Sequence, residues 1–369
     1  MYARKAAILN QHFYTVIMAG GIGSRFWPMS TSKHPKQFLD VLNVGKSLIR
    51  QTFERFSKIT PVQNIYVVTN EGYRDLVKEH IPELGNHQIL GEPMGRNTAP
   101  CVAYAMEKIH KIDNEATMVV APSDHIIRNE DVFTDVVTKA LDYSLQKEVL
   151  LTLGIEPTRP DTGYGYIHYD TESTNNGFSK VKSFTEKPIL SVAKEFLASG
   201  EYLWNAGIFV WSTASIRSAF QKNLSTMAAE FTGIVEHLGT DNEGKAIADV
   251  YSTCDNISID YGIMERAMNV EVYPAPFDWS DIGTWNALFD IQKKDENGNV
   301  VKGEKLLMRN VHGSFLHLAD KKFVALNGLK DIIVVESDDA FLIADRNDEQ
   351  AVKEIVSALK KSADFKSFT

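Results

Sequence analysis

The sequence predicts an α/β fold in which a mostly parallel sheet is flanked by helices and is followed by a small β-domain and a terminal helix. From residue 13 to residue 154, buried-type apolar runs alternate with amphipathic runs, which is typical of a parallel sheet covered by helices. From about residue 300, short apolar runs alternate with polar turns, with no long helix between them. The segment 348–361 then has apolar residues at helical spacing.

The first half of the chain is predicted to alternate strands and helices. Short continuous apolar runs predict strands, at Phe13–Met18, Ile65–Thr69, Thr117–Ala121 and Val149–Gly154. Apolar residues that recur on one side predict helices, at Ser47–Lys58, at Tyr73–His80, from Asn97 onwards and at Asp131–Leu145. Asn97 and Pro100 mark a helix start, because asparagine caps helix N-termini and proline is tolerated in the first turn.

The second half is more mixed in pattern. Between residues 155 and 290 we predict strands at Tyr166–Tyr169, Val181–Thr185 and Gly207–Trp211, and helices at Leu190–Ala198, Ala214–Lys222 and Tyr261–Met268. The β-domain is predicted from short runs at Leu306–Met308, Ser314–Leu318, Phe323–Ala325, Ile332–Glu336 and Ala340–Ile343, and the terminal helix at Asp348–Lys361.

The bulk properties limit the domain count and the function class. A length of 369 residues favours two domains, and we predict a loose extension at 1–11, a main domain at 12–290 and a small domain at 291–369. The net charge of −9 argues against a nucleic-acid partner. Two cysteines, Cys101 and Cys254, form no disulfide framework and fit the reducing cytoplasm. No apolar run approaches transmembrane length, so no membrane partner is predicted.

A glycine cluster that ends in an arginine follows the first strand, within Val16–Pro28. Glycines allow the backbone to approach a ligand closely, and free N–H groups with a guanidinium suit phosphate oxygens. The dinucleotide fingerprint is excluded because Phe26 occupies its last glycine position, and Walker A is excluded because Asp40 occupies its first. Gly45–Ser47 is interpreted as a turn and a helix start. The alternative for the cluster is an ordinary tight turn.

Two aspartates are candidate Mg²⁺ ligands. Asp124 follows the strand Thr117–Ala121, at the sheet edge where a metal beside a phosphate loop is expected. Asp281 lies in a segment rich in Asp, Trp and Gly. The alternatives are that Asp124 caps a turn or helix and that Asp281 caps the start of a helix. His125 is at most a weak candidate base.

Other polar residues are candidates for holding the substrates. Lys36 lies in a proline-containing loop and either reaches a triphosphate or is a solvated loop lysine. Glu186 and Lys187 end a predicted strand and are expected on opposite faces; the lysine suits a phosphate and the glutamate suits sugar hydroxyls, with a surface charge pair as the alternative. Asn205 suits polyol recognition, with an Asx turn as the alternative.

The ordered motifs resemble those of the mannose-1-phosphate guanylyltransferase family, within the sugar nucleotidyltransferases. They stand at Met18–Pro28, Pro35–Leu39, Gly91–Pro100, Pro122–His125, Gly163–Ile167, Phe184–Pro188, Trp204–Gly207 and Asp278–Trp285. The set spans roughly residues 13–290, and Arg96–Pro100 points to the guanylyl branch. The resemblance implies a Rossmann-like nucleotidyltransferase domain over 12–290, a short left-handed β-helix in 291–369 with a role in homodimer contacts, and no isomerase domain.

The resemblance also implies roles for individual residues. The nucleotide would be held by Ala19, Gly20, Gly21, Gly23, Ser24, Arg25, Glu92, Asn97, Thr98 and Ala99. The sugar phosphate would be held by Gly165, Glu186, Lys187 and Asn205. Mg²⁺ would be held by Asp124 and Asp281, and Arg25, Lys36 and Lys187 would neutralise phosphate charge in catalysis.

The implied reaction is in-line attack of mannose 1-phosphate on the α-phosphorus of GTP, which releases pyrophosphate and leaves GDP-mannose. The attacking phosphate is already ionised at neutral pH, so a strong general base is not needed. Two alternatives remain at this level: a nucleotidyltransferase for another sugar 1-phosphate, such as a heptose, and a non-catalytic sensor of GDP-sugar. The sensor alternative is disfavoured because the metal aspartates and the loop arginine are all present.

Overall fold

The computed structural model describes residues 9–369, without the side chains of residues 173 and 349. The predicted extension at 1–11 lies mostly outside the described residues. Contacts divide the chain into two compact units that interleave along the sequence. The first unit runs up to residue 20, from 50 to 123 and from 127 to 279, and the second comprises 21–49, 124–126 and 280–369. The predicted sequence boundary near residue 290 stays a prediction.

The secondary structure follows the predicted alternation in the first half of the chain. The strands are β1 (Phe13–Ala19), β2 (Ile65–Asn70), β3 (Ile89–Glu92), β4 (Thr117–Pro122), β5 (Ile126–Ile127), β6 (Leu150–Ile155), β7 (Tyr166–Asn175), β8 (Phe178–Thr185), β9 (Tyr202–Ser212), β10 (Val270–Pro274), β11 (Trp279–Ser280), β12 (Val300–Lys302), β13 (Leu306–Arg309), β14 (Phe315–His317), β15 (Val324–Asn327), β16 (Ile332–Glu336) and β17 (Phe341–Asp345). The helices are α1 (Leu48–Phe56), α2 (Arg74–His80), α3 (Thr98–Ile112), α4 (Glu130–Leu145), α5 (Leu190–Ser199), α6 (Thr213–Asn223), α7 (Ser225–Gly233), α8 (Glu243–Thr253), α9 (Trp285–Ile291) and α10 (Glu349–Lys361).

The first unit is built on a nine-stranded mixed sheet, which confirms the predicted α/β fold. Its order is β3-β2-β1-β4-β9-β6-β10-β8-β7. The strands β3, β2, β1 and β4 are parallel to one another, and β6 is parallel to β10. The remaining pairs are antiparallel. The parallel half therefore corresponds to the segment in which the sequence shows its regular strand–helix rhythm.

The register of the parallel strands determines which residues meet at the carboxyl edge of the sheet. Ala19 pairs with Thr69, and Met18 pairs with Pro122. The end of β3 is also in register, because Glu92 pairs with Asn70. The glycine turn after β1 and the carboxylate of Glu92 therefore emerge at one edge, which is where ligands bind in such sheets.

The segment after Ile259 differs from the predicted helix Tyr261–Met268. A short π-helix, Asp260–Met264, replaces it, with Glu265 N–H donating to the carbonyl of Asp260 at 2.9 Å. Ile263 and Met264 are buried in this turn. Buried apolar residues at this spacing are also typical of an amphipathic α-helix, which is why a longer helix was predicted. Single-turn π-helices are frequent at functional sites.

The second unit contains the small β-domain, as predicted. Its strands form the order β12-β14-β16-β17 and a separate pair β13-β15, parallel except for β16 with β17. One apolar core joins the β-domain to the residues after the glycine turn, because Phe26 and Trp27 are buried with Trp285 and Phe315. The ring centroids of Phe26 and Trp285 lie 4.6 Å apart.

We predict that Trp285→Ala lowers the free energy of unfolding by about 3–5 kcal/mol, because it removes a large side chain from a core that relaxes only partially. Trp285 is 1% exposed, and its indole N–H also donates to the carbonyl of Trp27 at 3.1 Å. Chemical denaturation measures the change. The control is Phe323→Ala in the same unit, where the side chain is 68% exposed; an equal loss in both variants would contradict the core assignment.

Two further observations concern the described residues. Both cysteines, Cys101 and Cys254, are buried free thiols. None of the helices found in residues 9–369 combines the length and the apolar composition that a membrane-spanning helix requires.

Candidate active site

The second half of the glycine turn is held against the loop that carries Lys36. Gly23 has φ 72° and ψ 44°, in the left-handed region that favours glycine. A Cβ at Gly23 would overlap the Lys36 side chain. This position therefore has room only for a residue without a side chain. Lys36 N–H donates to the carbonyl of Ile22 at 3.0 Å, and the Ser30 hydroxyl donates to the carbonyl of Gly23 at 2.5 Å. The turn therefore has one defined conformation.

The Lys36 ammonium lies at the centre of a buried polar cluster. Lys36 is 4% exposed, and its Nζ lies 2.8 Å from Asp124 Oδ2 and 2.8 Å from the backbone carbonyl oxygen of Asp281. The same Nζ lies 5.2 Å from the centroid of the Phe26 ring. The alternative of a solvated loop lysine is therefore wrong. The two predicted metal aspartates meet at this one ammonium.

The Asp124 carboxyl is kept ionised in this cluster. Burial raises its pKa, but the charges of Lys36 and His125 together with hydrogen bonds outweigh burial, so that the pKa is lowered overall. An ionised carboxylate is the form that binds a cation. Asp124 directly follows Ser123, whose N–H donates to the carbonyl of Met18 at 3.0 Å.

Asp281 does not cap the helix that follows it. The Thr284 hydroxyl accepts from Ala287 N–H at 3.1 Å and caps α9. Asp281 Oδ1 instead accepts from Gly283 N–H at 3.1 Å, in an Asx turn that leads into the strained backbone of Ile282, with φ 42°. The helix-cap alternative for Asp281 is therefore wrong.

Arg25 lies in the single turn of 3-10 helix that follows Gly23 and is exposed. No hydrogen bond or ion pair to another residue is recorded for its guanidinium within residues 9–369. A guanidinium without a protein partner, next to a glycine turn, is suited to a phosphate group. Gly21 and Ser24 stand in the same exposed turn.

The residues present fit a magnesium ion in their donor chemistry. Mg²⁺ prefers hard oxygen ligands and takes only one or two protein carboxylates, with phosphates and waters in the rest of its shell. Asp124 supplies an ionised carboxylate, and Asp281, whose backbone carbonyl contacts the same Lys36 ammonium, would supply the second carboxylate. No group of three or more Asp, Glu, His or Cys side chains suited to a metal is found in the described part of the chain, so an all-protein metal cage is not what these residues form.

The first unit holds the other nucleotide candidates. Ala19 ends β1, and its carbonyl accepts from the Thr69 hydroxyl at 2.8 Å. Gly20 follows it and is exposed. Glu92 ends β3, is buried, and accepts from the Tyr251 hydroxyl at 2.8 Å. Burial raises the pKa of Glu92 to about 7, although the Tyr251 hydrogen bond lowers it.

The predicted base-binding residues begin α3, as expected. Asn97 has φ 67° and caps the helix by accepting from Thr98 N–H at 3.0 Å. The Thr98 hydroxyl accepts from Ile259 N–H at 2.9 Å, and Ala99 N–H donates to the carbonyl of Ile257 at 3.1 Å. The Thr98 hydroxyl and the Ala99 N–H thus already form hydrogen bonds with the backbone of residues 257–259, whereas Asn97 is exposed.

Glu186 and Lys187 form an ion pair, contrary to the expectation that they point to opposite faces. Lys187 Nζ lies 2.8 Å from Glu186 Oε1. The strand β8 ends before them, and Lys187 has φ 46°, so strand alternation no longer applies. Burial lowers the pKa of Lys187, but its hydrogen bond to Glu186 outweighs this and the pKa is raised. A Cβ at Gly165 would approach Glu186 Oε2 to 2.5 Å, so glycine is needed there.

Asn205 is held by a network in which one partner was not predicted. Its amide oxygen accepts from the Thr152 hydroxyl and from Gly207 N–H, each at 3.1 Å. Its amide nitrogen donates to Asp260 Oδ1 at 2.9 Å. Asn205 N–H donates to the carbonyl of Gly165 at 2.8 Å, which brings the predicted sugar residues together.

The comparisons with known proteins agree with this geometry. A family model described as "Nucleotidyl transferase" matches residues 14–298. The chain belongs to the nucleotidyl transferase family. A second model, described as "MannoseP isomerase/GMP-like beta-helix domain", matches residues 312–359. Within this family, the relatives place the chain among the mannose-1-phosphate guanylyltransferases, as the motifs predicted.

Those relatives are similar over nearly the whole chain. The mannose-1-phosphate guanylyltransferase of Salmonella montevideo is 38% identical, with 94% of this chain and 73% of the relative covered. That of Klebsiella pneumoniae is 36% identical, with 94% and 74% covered. A crystal structure described as mannose-1-phosphate geranyltransferase from Thermus thermophilus matches with a TM-score of 0.84 and 29% identity, over 95% of this chain and 99% of that chain.

Two residues of this nucleotidyl transferase were missed by sequence reasoning. Tyr251 is fully buried in α8 and contacts Glu92, and no helix was predicted there. Asp260 contacts Asn205, and it was overlooked because it lies just outside the predicted helix at 261–268. The Asn205 amide is half-buried and its N–H group needs a partner, which Asp260 supplies from 55 residues away.

We predict a pH-dependent effect of Asp260→Asn on stability. Burial and the nearby charge of Glu186 raise the pKa of Asp260 to about 6, above its ordinary value. The folded chain therefore binds this proton more tightly, and the stabilisation is complete only below the ordinary pKa of 3.8 and is lost as the pH rises through 6. The stability of Asp260→Asn relative to wild type should increase by about 1–2 kcal/mol from pH 4 to pH 7.

Urea denaturation at several pH values measures this difference. Asp142→Asn, at an exposed position of α4, is the control for losing a carboxylate at the surface. A difference between Asp260→Asn and wild type that stays constant with pH would contradict the prediction.

Proposed function

We propose that this chain transfers GMP from GTP to α-D-mannose 1-phosphate and releases pyrophosphate. The observation that carries the proposal is the cluster in which the Asp124 carboxylate and the backbone carbonyl of Asp281 meet at the Lys36 ammonium, in the unit that also exposes Arg25. Such a cluster suits the charge of a nucleoside triphosphate and its metal. The substrates follow from the names of the relatives, which are mannose-1-phosphate guanylyltransferases.

The chemistry requires neutralisation and alignment of two anions more than proton transfer. Asp124 and Asp281 would hold Mg²⁺, which when bound would supply positive charge to the triphosphate. Arg25 contacts the phosphates directly, since its guanidinium is exposed beside the glycine turn. Lys36 keeps Asp124 ionised and in position through the 2.8 Å contact, and it adds positive charge to the phosphate site.

The nucleotide is held by the glycine turn and by the residues at the carboxyl edge of the sheet. In the first unit, Ala19 ends β1 and Gly20 follows it, and Glu92 with Asn97 would face the guanine. In the second unit, Gly21, Gly23 and Ser24 would bind phosphate oxygens. Thr98 and Ala99 contribute chiefly by fixing the start of α3, because their polar groups bond to residues 257–259.

The sugar phosphate is held by the network around Asn205 and by Lys187. Lys187 is 60% exposed at its side chain, so its ammonium can reach a phosphate while Glu186 keeps it oriented. Glu186, Asn205 and Asp260 offer donors and acceptors for sugar hydroxyls. Gly165 leaves room beside Glu186 Oε2.

A substrate panel tests the proposal. Pyrophosphate release is measured with each of GTP, ATP, UTP and dTTP against mannose, glucose and heptose 1-phosphates, with and without Mg²⁺. We expect turnover to be fastest with GTP and mannose 1-phosphate and to fall to background after chelation with EDTA. If a heptose 1-phosphate is turned over faster than mannose 1-phosphate, the chain is a nucleotidyltransferase for that heptose 1-phosphate instead. If the chain binds GDP-mannose tightly but turns over none of the nucleotide and sugar phosphate pairs, it is a non-catalytic sensor of GDP-sugar and not an enzyme.

We also propose a homodimer located in the cytoplasm. The β-domain exposes Leu307, Phe323, Phe341 and Ile343, which are apolar side chains suited to a second copy, and two free thiols fit a reducing compartment. Light scattering on the purified chain tests the dimer. A monomer mass that persists at high protein concentration would contradict it.

A further inference from the structure

A buried tyrosine–glutamate pair lies beneath the nucleotide candidates. Glu92 ends β3, and Tyr251, in α8, is fully buried. The Tyr251 hydroxyl donates to Glu92 Oε1 at 2.8 Å. Within residues 9–369 it is the hydrogen-bond donor recorded for this carboxylate, so the phenol determines how the carboxylate is oriented.

The second carboxylate oxygen faces the glycine turn. Glu92 Oε2 lies 3.4 Å from the place that a Cβ on Gly20 would take. One oxygen is thus held by Tyr251, and the other lies beside the backbone where the nucleotide is expected. A carboxylate oxygen accepts hydrogen bonds only.

The segment that carries Tyr251 is fixed to the start of α3. Arg96 Nε donates to the carbonyl of Tyr251 at 3.0 Å. A few residues on, Ile259 N–H donates to the Thr98 hydroxyl, and the carbonyl of Ile257 accepts from Ala99 N–H. These contacts hold the phenol in place relative to the residues that precede and begin α3.

We propose that Tyr251 is a positioning residue for nucleobase selection, which fixes Glu92 Oε2 as the acceptor for the donor edge of guanine. The inference rests on the proposed use of GTP. Guanine presents a ring N–H and an exocyclic amino group on one edge, whereas hypoxanthine presents the ring N–H alone. Sites built to hydrogen-bond a substrate N–H discriminate strongly against analogues that lack it.

Ionisation of Glu92 is part of the same arrangement. Burial raises the pKa of Glu92 to about 7, and the Tyr251 hydrogen bond lowers it. In the part of the chain that the structure describes, the buried thiol of Cys101, on α3, also interacts electrostatically with this carboxylate, and its pKa is raised by burial and by Glu92. The pKa of Tyr251 itself is well above its ordinary value, so the phenol stays a donor and favours the ionised acceptor.

The test is Tyr251→Phe, which removes the hydroxyl and keeps the ring. Binding of GDP and IDP is measured by calorimetry from pH 6 to pH 9, and kcat/KM is measured with GTP and ITP. We expect the preference for GDP over IDP to fall about tenfold, and the pH midpoint of GDP binding to move upward. The matched control is Tyr104→Phe, which loses a 2.6 Å bond from a phenol to the Glu243 carboxylate outside the site; its preference and midpoint should equal those of wild type.

Wild-type preference and midpoint in a folded Tyr251→Phe variant would overturn the inference. If that variant does not fold, Glu92→Gln decides, because it removes the titrating acid and keeps an acceptor for Tyr251. The preference for GDP over IDP should then fall about tenfold, because an amide NH2 group replaces the accepting oxygen, and a wild-type preference would overturn the inference as well. Turnover with mannose 1-phosphate tests the proposed function separately, since nucleotide binding does not require the sugar. A wild type that does not prefer GDP over IDP also overturns the inference.

Discussion

Asp124→Asn is expected to lower kcat about a thousandfold, with a much smaller effect on folding. The substitution keeps the shape of the side chain but removes the negative charge that, in the proposed function, would hold a cation at the phosphates. It also weakens the contact with the Lys36 ammonium, which lies 2.8 Å from Asp124 Oδ2. Steady-state pyrophosphate release measures kcat, and added Mg²⁺ should recover only part of the loss.

The control for Asp124→Asn is Asp338→Asn. Asp338 also forms an ion pair with a lysine in the second unit, Lys321, at 2.5 Å, but both side chains are exposed. Surface pairs contribute little to stability, so Asp338→Asn should keep full activity. An Asp124→Asn variant with the kcat of wild type would remove Asp124 from the metal site.

Lys36→Met is expected to lower both stability and activity. The ammonium is buried and bonds to Asp124 and to the Asp281 carbonyl, and removal of one partner from a buried ion pair leaves the other uncompensated. We expect a loss of about 2–4 kcal/mol in the free energy of unfolding. Activity per folded molecule should fall at least about a hundredfold, as Asp124 loses the charge that positions it.

The matched control is Lys108→Met in the first unit. Lys108 is also buried, and its Nζ lies 2.6 Å from Glu243 Oε2, away from the candidate site. Both lysine variants should lose stability, as shown by denaturation, but only Lys36→Met should lose activity per folded molecule. Equal activity in the two folded variants would show that Lys36 is structural alone.

The sequence predicted best where local physics decides the structure. The continuous apolar runs of β1 and β4 and the cap at Asn97 were identified from their own residues. The sequence also predicted that the glycine turn follows the carboxyl end of β1, as it does in the structure. Each of these features depends on neighbours a few residues away or on a regular topology.

Features that depend on distant partners were not predictable in the same way. Lys36 was open to interpretation because its partners, Asp124 and Asp281, lie 88 and 245 residues away. The ion pair of Glu186 with Lys187 depends on the left-handed backbone of Lys187 after β8. Lysine is not a residue type that predicts a left-handed backbone. The role proposed for Tyr251, on α8, depends on its contact with Glu92, at the end of β3.

The interleaving of the two units has a consequence for synthesis of the chain. Residues 21–49 leave the ribosome early, but their apolar side chains, such as Phe26 and Trp27, share a core with residues after 280. At about 5–20 residues per second, this segment waits roughly 10–50 s for its partners to be translated. During that interval the glycine turn is exposed to chaperones and proteases. Slow translation beyond residue 280 should therefore reduce the yield of active protein more than the yield of full-length polypeptide.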